Sequence, residues 1–216
     1  MNVSPGQDVR ATGDSWVTAR ERLTASGYLQ IAEGDWAWVH ARPGAGQAVR
    51  VSPFDPAYRL FATVAAEHSQ NPAAVGIETV TAHAGGGYSV TMERLDPVAS
   101  AEATDWLAKL LRREPAAQDL LEFVRAIELA VAVSEIPLLV GLDLNPANVM
   151  RRSTTGSLVL TDALWIHGTK LYELVTEDPS AALRLYSRTD LEAYAHIPCM
   201  DERATRTILE ALAERP

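Results

Sequence analysis

Apolar positions fall into two regimes along the chain. In the first, short runs at 28–31, 36–40, 48–51, 75–83 and 88–92 carry the apolar, alternating character of half-buried strands. Turn-forming residues separate them: Glu33-Gly34-Asp35, Pro43-Gly44-Ala45-Gly46 and Gly85-Gly86-Gly87. This order predicts an antiparallel meander. The glycine triplet suits a hairpin turn and also resembles a phosphate loop, although no helical pattern follows it. Helical spacing interrupts the strands twice. Residues 16–24 follow a capping Ser15 and stop at Gly27, and 58–69 follow Asp55-Pro56, an N-cap with proline at the first helical position, and stop at Asn71-Pro72.

After Asp96-Pro97 helix formers take over. Helices are expected over 101–113 and 116–135, broken at Pro115, with Leu120, Val124, Ile127 and Val131 of the second at helical spacing. One short strand is expected at 138–140, then a loop, then strands at 149–151 and 158–161 around the turn 153–157. Beyond these the chain reads as helical to its end, with Asp201 capping 202–213. Residues 1–13 lack periodicity and read as a loose tail. The expected class is α+β, with a strand-rich part over 1–95 and a helix-rich part over 96–216.

Composition narrows the function classes. The chain has 216 residues, 47% hydrophobic and 22% charged, enough to build a sizeable core and unlike a disordered chain. Its formal charge of −9 speaks against nucleic acid and anionic membranes as partners. Cys199 is the only cysteine, which excludes an intrachain disulfide and a multi-cysteine zinc cluster and fits a reducing, cytoplasmic location. No uncharged stretch reaches the roughly 20 residues that cross a bilayer. The histidines show no ligand spacing such as H-E-x-x-H, and no G-x-S-x-G elbow is present.

The candidate chemistry lies between Val140 and Asp162. Asp143-Leu144-Asn145-Pro146-Ala147-Asn148 runs into a predicted hairpin whose second strand ends on Asp162. Taken alone, that string is also a helix cap or a turn, since Asp, Asn and Pro favour both. Phosphoryl transfer requires a carboxylate near the acceptor hydroxyl and oxygen ligands for magnesium, and this spacing offers both. The D-L-x-P-x-N string, the long helix before it and the hairpin leading to a second Asp resemble the protein-kinase and aminoglycoside-phosphotransferase superfamily.

That resemblance implies a two-lobed kinase-like fold, with an antiparallel sheet and one inserted helix before residue 95 and a reduced helical lobe after it. Carried over by position, Asp143 matches the catalytic base, and Asn148 and Asp162 match magnesium ligands. The segment 31–39 takes the place of the glycine-rich loop, in which Gly34 and Val39 match, Ala32 and Ala37 replace glycines, and Trp36 stands at the tip; an ordinary hairpin turn at Gly34 is the alternative. Ala48 would help form the adenine roof, and Arg50 occupies the lysine position. Glu67 is its expected partner on the following helix, or else faces solvent. Met92 corresponds to the gatekeeper, and Glu93 to Leu95 to the hinge that reads adenine. Trp36 and Trp165 are the tryptophans expected in the cleft, with His167 an option on the acceptor side.

The sequence also departs from the pattern. Gly141 and Leu142 replace the residues that precede the catalytic Asp, Arg50 stands for lysine, no A-P-E motif follows, and little chain remains after Asp162 for a peptide-docking platform. The implied activity is transfer of the γ-phosphoryl group of Mg-ATP to a hydroxyl on a protein or small molecule. The alternatives are a pseudokinase that binds nucleotide or a partner protein, and AMP transfer by the same fold.

Overall fold

A computed structural model describes residues 10–214. The first part contains β1 (Arg10–Ala11), α1 (Trp16–Ala25), β2 (Leu29–Glu33), β3 (Trp38–Ala41), β4 (Gln47–Ser52), α2 (Pro56–Glu67), β5 (Ile77–Ala82) and β6 (Tyr88–Glu93). Its sheet has the order β1-β5-β6-β4-β3-β2, antiparallel throughout except that β1 joins β5 in parallel. The meander is therefore present with α2 inserted between β4 and β5. The tail expectation is corrected at one end: Arg10–Ala11 pairs with the sheet edge and the Thr12 N–H donates to the Ala82 carbonyl at 3.1 Å. Residues 1–9 of that expected tail lie outside the described residues.

Local chemistry explains the elements. In β6, Tyr88, Val90 and Met92 are buried while Ser89, Thr91 and Glu93 are half-buried, the period-two pattern of a strand with one face on a core. Asp55 caps α2, its Oδ1 accepting from the Tyr58 N–H at 3.0 Å, and Pro56 fills the first helical position. The helix buries Tyr58, Phe61 and Val64, and Phe61 meets Phe123 edge-on with ring centroids 5.9 Å apart. The glycine triplet is a hairpin turn. Gly87 has φ +77°, and a Cβ there would lie 2.6 Å from the Ser52 carbonyl oxygen and 2.8 Å from that of Pro53, so only glycine lets this turn close against the end of β4.

The second part contains β7 (Leu95–Pro97), α3 (Ser100–Leu111), α4 (Gln118–Ala132), β8 (Leu139–Leu142), β9 (Val149–Arg152), β10 (Leu158–Leu160) and β11 (Leu164–Ile166). It closes with α5 (Gly168–Glu177), α6 (Pro179–Leu185), α7 (Arg188–Tyr194) and α8 (Glu202–Ala213). Asp201 caps α8 as expected, accepting from the Ala204 N–H at 2.7 Å. Two small sheets, β10-β9-β7 and β11-β8, lie among the helices. β7 and β11 depart from the sequence reading, which placed no strand at either position; three residues are too few for alternation to register.

Buried residues from both parts form one continuous core, including Phe61, Val90 and Met92 with Phe123, Ile127, Leu160 and Leu171. The architecture is mixed α+β. Among the described residues no helix is long and apolar enough to cross a membrane.

Candidate functional site

Two ladders position Asp143, Asn148 and Asp162. β8 pairs with β11, Leu142 opposite Leu164 and Gly141 opposite Trp165, and the Asp143 N–H donates to the Ala163 carbonyl at 2.7 Å. β9 pairs with β10, Val149 opposite Leu160, and both the N–H and the hydroxyl of Thr161 donate to the Asn148 carbonyl, at 2.8 and 2.9 Å. Between them Asn145 caps a single tight turn through the Ala147 N–H at 2.9 Å, with Pro146 fixing its first residue. Asp143, Asn148 and Asp162 therefore emerge together where the two ladders end. Gly141 has φ +122°, a backbone conformation that side-chain-bearing residues rarely adopt, which accounts for glycine at this position.

These residues face a cleft of about 480 Å³, a size typical of small-molecule sites. Of the residues singled out from the sequence, Gly34, Val39, Arg50, Asp143, Asn148 and Asp162 all line it, and so do Trp36 and Trp165. His167 does not line it; it is exposed at the start of α5, its ring 5.5 Å from that of Trp165. Glu33, Asp35, Asp55, Asp143 and Asp162 give the wall five carboxylates against the single guanidinium of Arg50.

Arg50 is where the structure corrects the sequence most. Glu67, the expected partner, is exposed at the far end of α2. The Arg50 Nη2 instead donates to Asp55 Oδ2 at 2.5 Å, its Nη1 lies 3.4 Å from Asp162 Oδ2, and its guanidinium sits 3.6 Å over the Tyr58 ring. A helix of twelve residues runs about 18 Å, so one arginine reaches only one end of it. Asp55 thus does two things, capping α2 and neutralising Arg50. The sequence showed it only as a cap, although its closeness to Arg50 in the chain was a usable sign.

Burial opposes the charged form of Arg50, but Asp55 and Asp162, with Tyr88 and Tyr58, outweigh it and raise its pKa above the ordinary value. Burial raises Asp162, with Asp55 and Asp143 adding to it against the pull of Arg50 and the Leu164 N–H, and its pKa is pushed up to about 7. Asp162 is also weakly satisfied. Among the described residues its Oδ1 accepts only from the Leu164 N–H at 3.4 Å and its Oδ2 meets Arg50 at 3.4 Å, while 22% of its side chain remains exposed.

The loop between β2 and β3 covers one end of the cleft and is fastened there. The Gly34 N–H donates to the Ala37 carbonyl at 2.9 Å and the Ser52 hydroxyl to the Trp36 carbonyl at 2.6 Å. Trp36 packs near Phe54 and Tyr194, with centroids 6.3 and 5.9 Å away, and its ring fills the space over Gly168, where a Cβ would lie 2.9 Å from it. The Cys199 N–H donates to the Asp35 carbonyl at 3.2 Å. Gly34 is therefore part of an ordinary hairpin turn, the alternative the sequence offered, and it lines the cleft.

Ala48, Met92, Glu93 and Leu95 are not among the lining residues. Ala48, Met92 and Leu95 belong to the hydrophobic core, and the Tyr58 hydroxyl lies 3.5 Å from the Met92 sulfur. The carboxylate of Glu93 faces Arg152, whose Nε reaches its two oxygens at 3.0 and 2.9 Å. The chain matches no protein-family model, and no curated protein matches its sequence.

Proposed function

We propose that this chain is a kinase-like phosphotransferase that moves the γ-phosphoryl group of a magnesium-bound nucleoside triphosphate, ATP in the first instance, to a hydroxyl on a protein or small molecule. The observation that carries the reading is the convergence of Asp143, Asn148 and Asp162 with Arg50 on one cleft, in the roles the resemblance gives them. A two-lobed kinase-like arrangement belongs to the same proposal: a part with five antiparallel strands and one inserted helix carries Arg50 and the loop over 33–37, and a helix-rich part carries Asp143, Asn148 and Asp162.

Oxygen donors fit magnesium. Asp162 presents a carboxylate with only long contacts, Asn148 lines the same cleft and has an amide oxygen to offer, and both are hard ligands of the kind this ion prefers. When bound, the ion neutralises the charge of the phosphates beside these acidic walls. Asp143 accepts the proton of the acceptor hydroxyl as its oxygen bonds to the γ-phosphorus. The bond from that phosphorus to the bridging oxygen breaks, and the nucleoside diphosphate leaves with it. Arg50, held by Asp55, positions the phosphates and keeps Asp162 in place.

A second reading is a nucleotide-binding regulator without turnover. It is favoured by the committed Arg50–Asp55 pair and by the absence of glycine at positions 32 and 37 of the covering loop. Incubation with γ-labelled ATP and magnesium separates the two, comparing the native chain with Asp143→Ala and Asp162→Ala. Label transfer by the native chain alone supports the phosphotransferase; equal label from all three removes it. Retention of nucleotide binding without transfer supports the regulator.

A further inference from the structure

Independently of phosphoryl transfer, we infer that His40 is a proton-sensitive support beneath α1: the helix docks on the sheet while this imidazole is neutral and is released when it is protonated. His40 and Trp38 stand two residues apart in β3 and so share a face, the one opposite to Val39, which lines the cleft. α1 covers that face. The Trp16 ring stacks on the Trp38 ring with centroids 5.8 Å apart and planes at 14°, and the Arg20 guanidinium lies 3.6 Å from the centre of the same Trp38 ring.

The cover is thin and its polar groups are poorly matched. None of the residues of α1 is fully buried. His40 is only 2% exposed, and among the described residues its Nδ1 has no hydrogen-bond partner; the Arg20 Nε is buried without one as well. The charged groups here are Arg20 of α1 and, acting on Arg20, Glu33 at the end of β2, whereas β2 and β4 set the uncharged Gln30 and Val49 opposite His40. His196 lies at the edge of the same contact, its ring 6.0 Å from that of Trp16. A proton on His40 therefore puts a second positive charge under α1 beside Arg20, and an unpaired buried charge is costly. Burial, followed by the Arg20 charge, holds its pKa below the ordinary histidine value of about 6.5. Docking is thus fully present above that value and weakens as pH falls below it, by at most about tenfold per unit. The consequence reaches the cleft. The Arg20 Nη2 donates to Gln30 Oε1 at 3.3 Å and the Gln30 Nε2 to Glu33 Oε2 at 3.0 Å, so release of α1 frees a carboxylate on the cleft wall.

A helix of ten residues is marginal in water by itself, so release unprotects its amides. Hydrogen exchange of the full chain, corrected for the intrinsic rate, is compared at about pH 7.5 and about pH 5 for the amides of α1, with those of α4 as the reference. Protection of α1 relative to α4 is expected to fall by about threefold to thirtyfold over this range. His40→Gln and His40→Leu each remove the proton site and are expected to abolish the fall. A native ratio that does not change overturns the inference. A fall that persists in either variant also overturns it, because His196 or another group then carries the effect. In the native chain the His40 ring is expected to titrate below about 6.5 by NMR, and titration at or above that value overturns the inference without any variant.

Discussion

Arg50 and its partner offer the sharpest test of the local structure. The side chains of Arg50 and Asp55 are only 14% and 7% exposed, so the pair is desolvated and each charge depends on the other. Replacing Asp55 by Ala leaves a buried guanidinium whose remaining carboxylate, Asp162, lies at 3.4 Å, and it also removes the N-cap of α2. Breaking a buried pair costs about 3 to 5 kcal/mol, and a lost cap accounts for roughly 1 kcal/mol of that order. A double-mutant cycle isolates the pair itself, using Arg50→Met, Asp55→Asn and the double variant in urea unfolding. Groups in contact couple by about 0.5 to 3 kcal/mol, and this pair is expected near the top of that range. The matching cycle with Glu67→Gln is expected to be additive within about 0.5 kcal/mol, because Glu67 is exposed at the opposite end of α2. Stronger coupling of Arg50 to Glu67 than to Asp55 refutes the assignment.

Other outcomes follow from single contacts. Gly87→Ala forces a Cβ to 2.6 Å from the Ser52 carbonyl at positive φ and is expected to destabilise the fold by about 2 kcal/mol or more, read from the urea midpoint; a loss under about 0.5 kcal/mol contradicts the close approach. Asp162 is raised to about 7, so it is largely protonated below neutrality, and under the proposed function magnesium would have to displace that proton. Magnesium affinity measured by calorimetry is therefore expected to fall by about tenfold per pH unit below 7 and to level off above it, and a flat profile from pH 5 to 8 contradicts the raised carboxyl. For the protein alone the sign is opposite: a carboxyl raised on folding withdraws stability as pH rises through about 7, so Asp162→Asn is expected to be more stable than the native chain at pH 8. Trp36→Ala empties the space over Gly168 and is expected to increase exchange of the Gly34 and Cys199 amides, which donate to the Ala37 and Asp35 carbonyls, measured by hydrogen exchange; unchanged protection contradicts a fastened loop.

Much of this was legible from local pattern. Asp55-Pro56 announced α2, Asp201 announced α8, and the alternation of 88–92 announced β6, because caps and strand faces are written in adjacent residues. The β9–β10 hairpin that leads to Asp162 was readable because its strands are adjacent in the chain. What the sequence hid depends on distance through space. Glu67 sits on the same nominal stripe as Val64, yet it ends the helix, where the stripe has left the core and solvent takes over. Arg152, which carried no motif, holds Glu93 and two carbonyls through contacts with residues far away in the chain. The three-residue strands β7 and β11 are defined only by their partners.

The central claim is that Asn148 and Asp162 hold a divalent ion beneath the phosphates of a nucleoside triphosphate. Crystals grown with Mn²⁺ and a non-hydrolysable triphosphate analogue test it through the anomalous signal of the metal. A peak is expected within coordination distance of the Asn148 and Asp162 side-chain oxygens, with the phosphates toward Arg50. Saturated crystals that show the metal elsewhere, or a cleft without it, contradict the account.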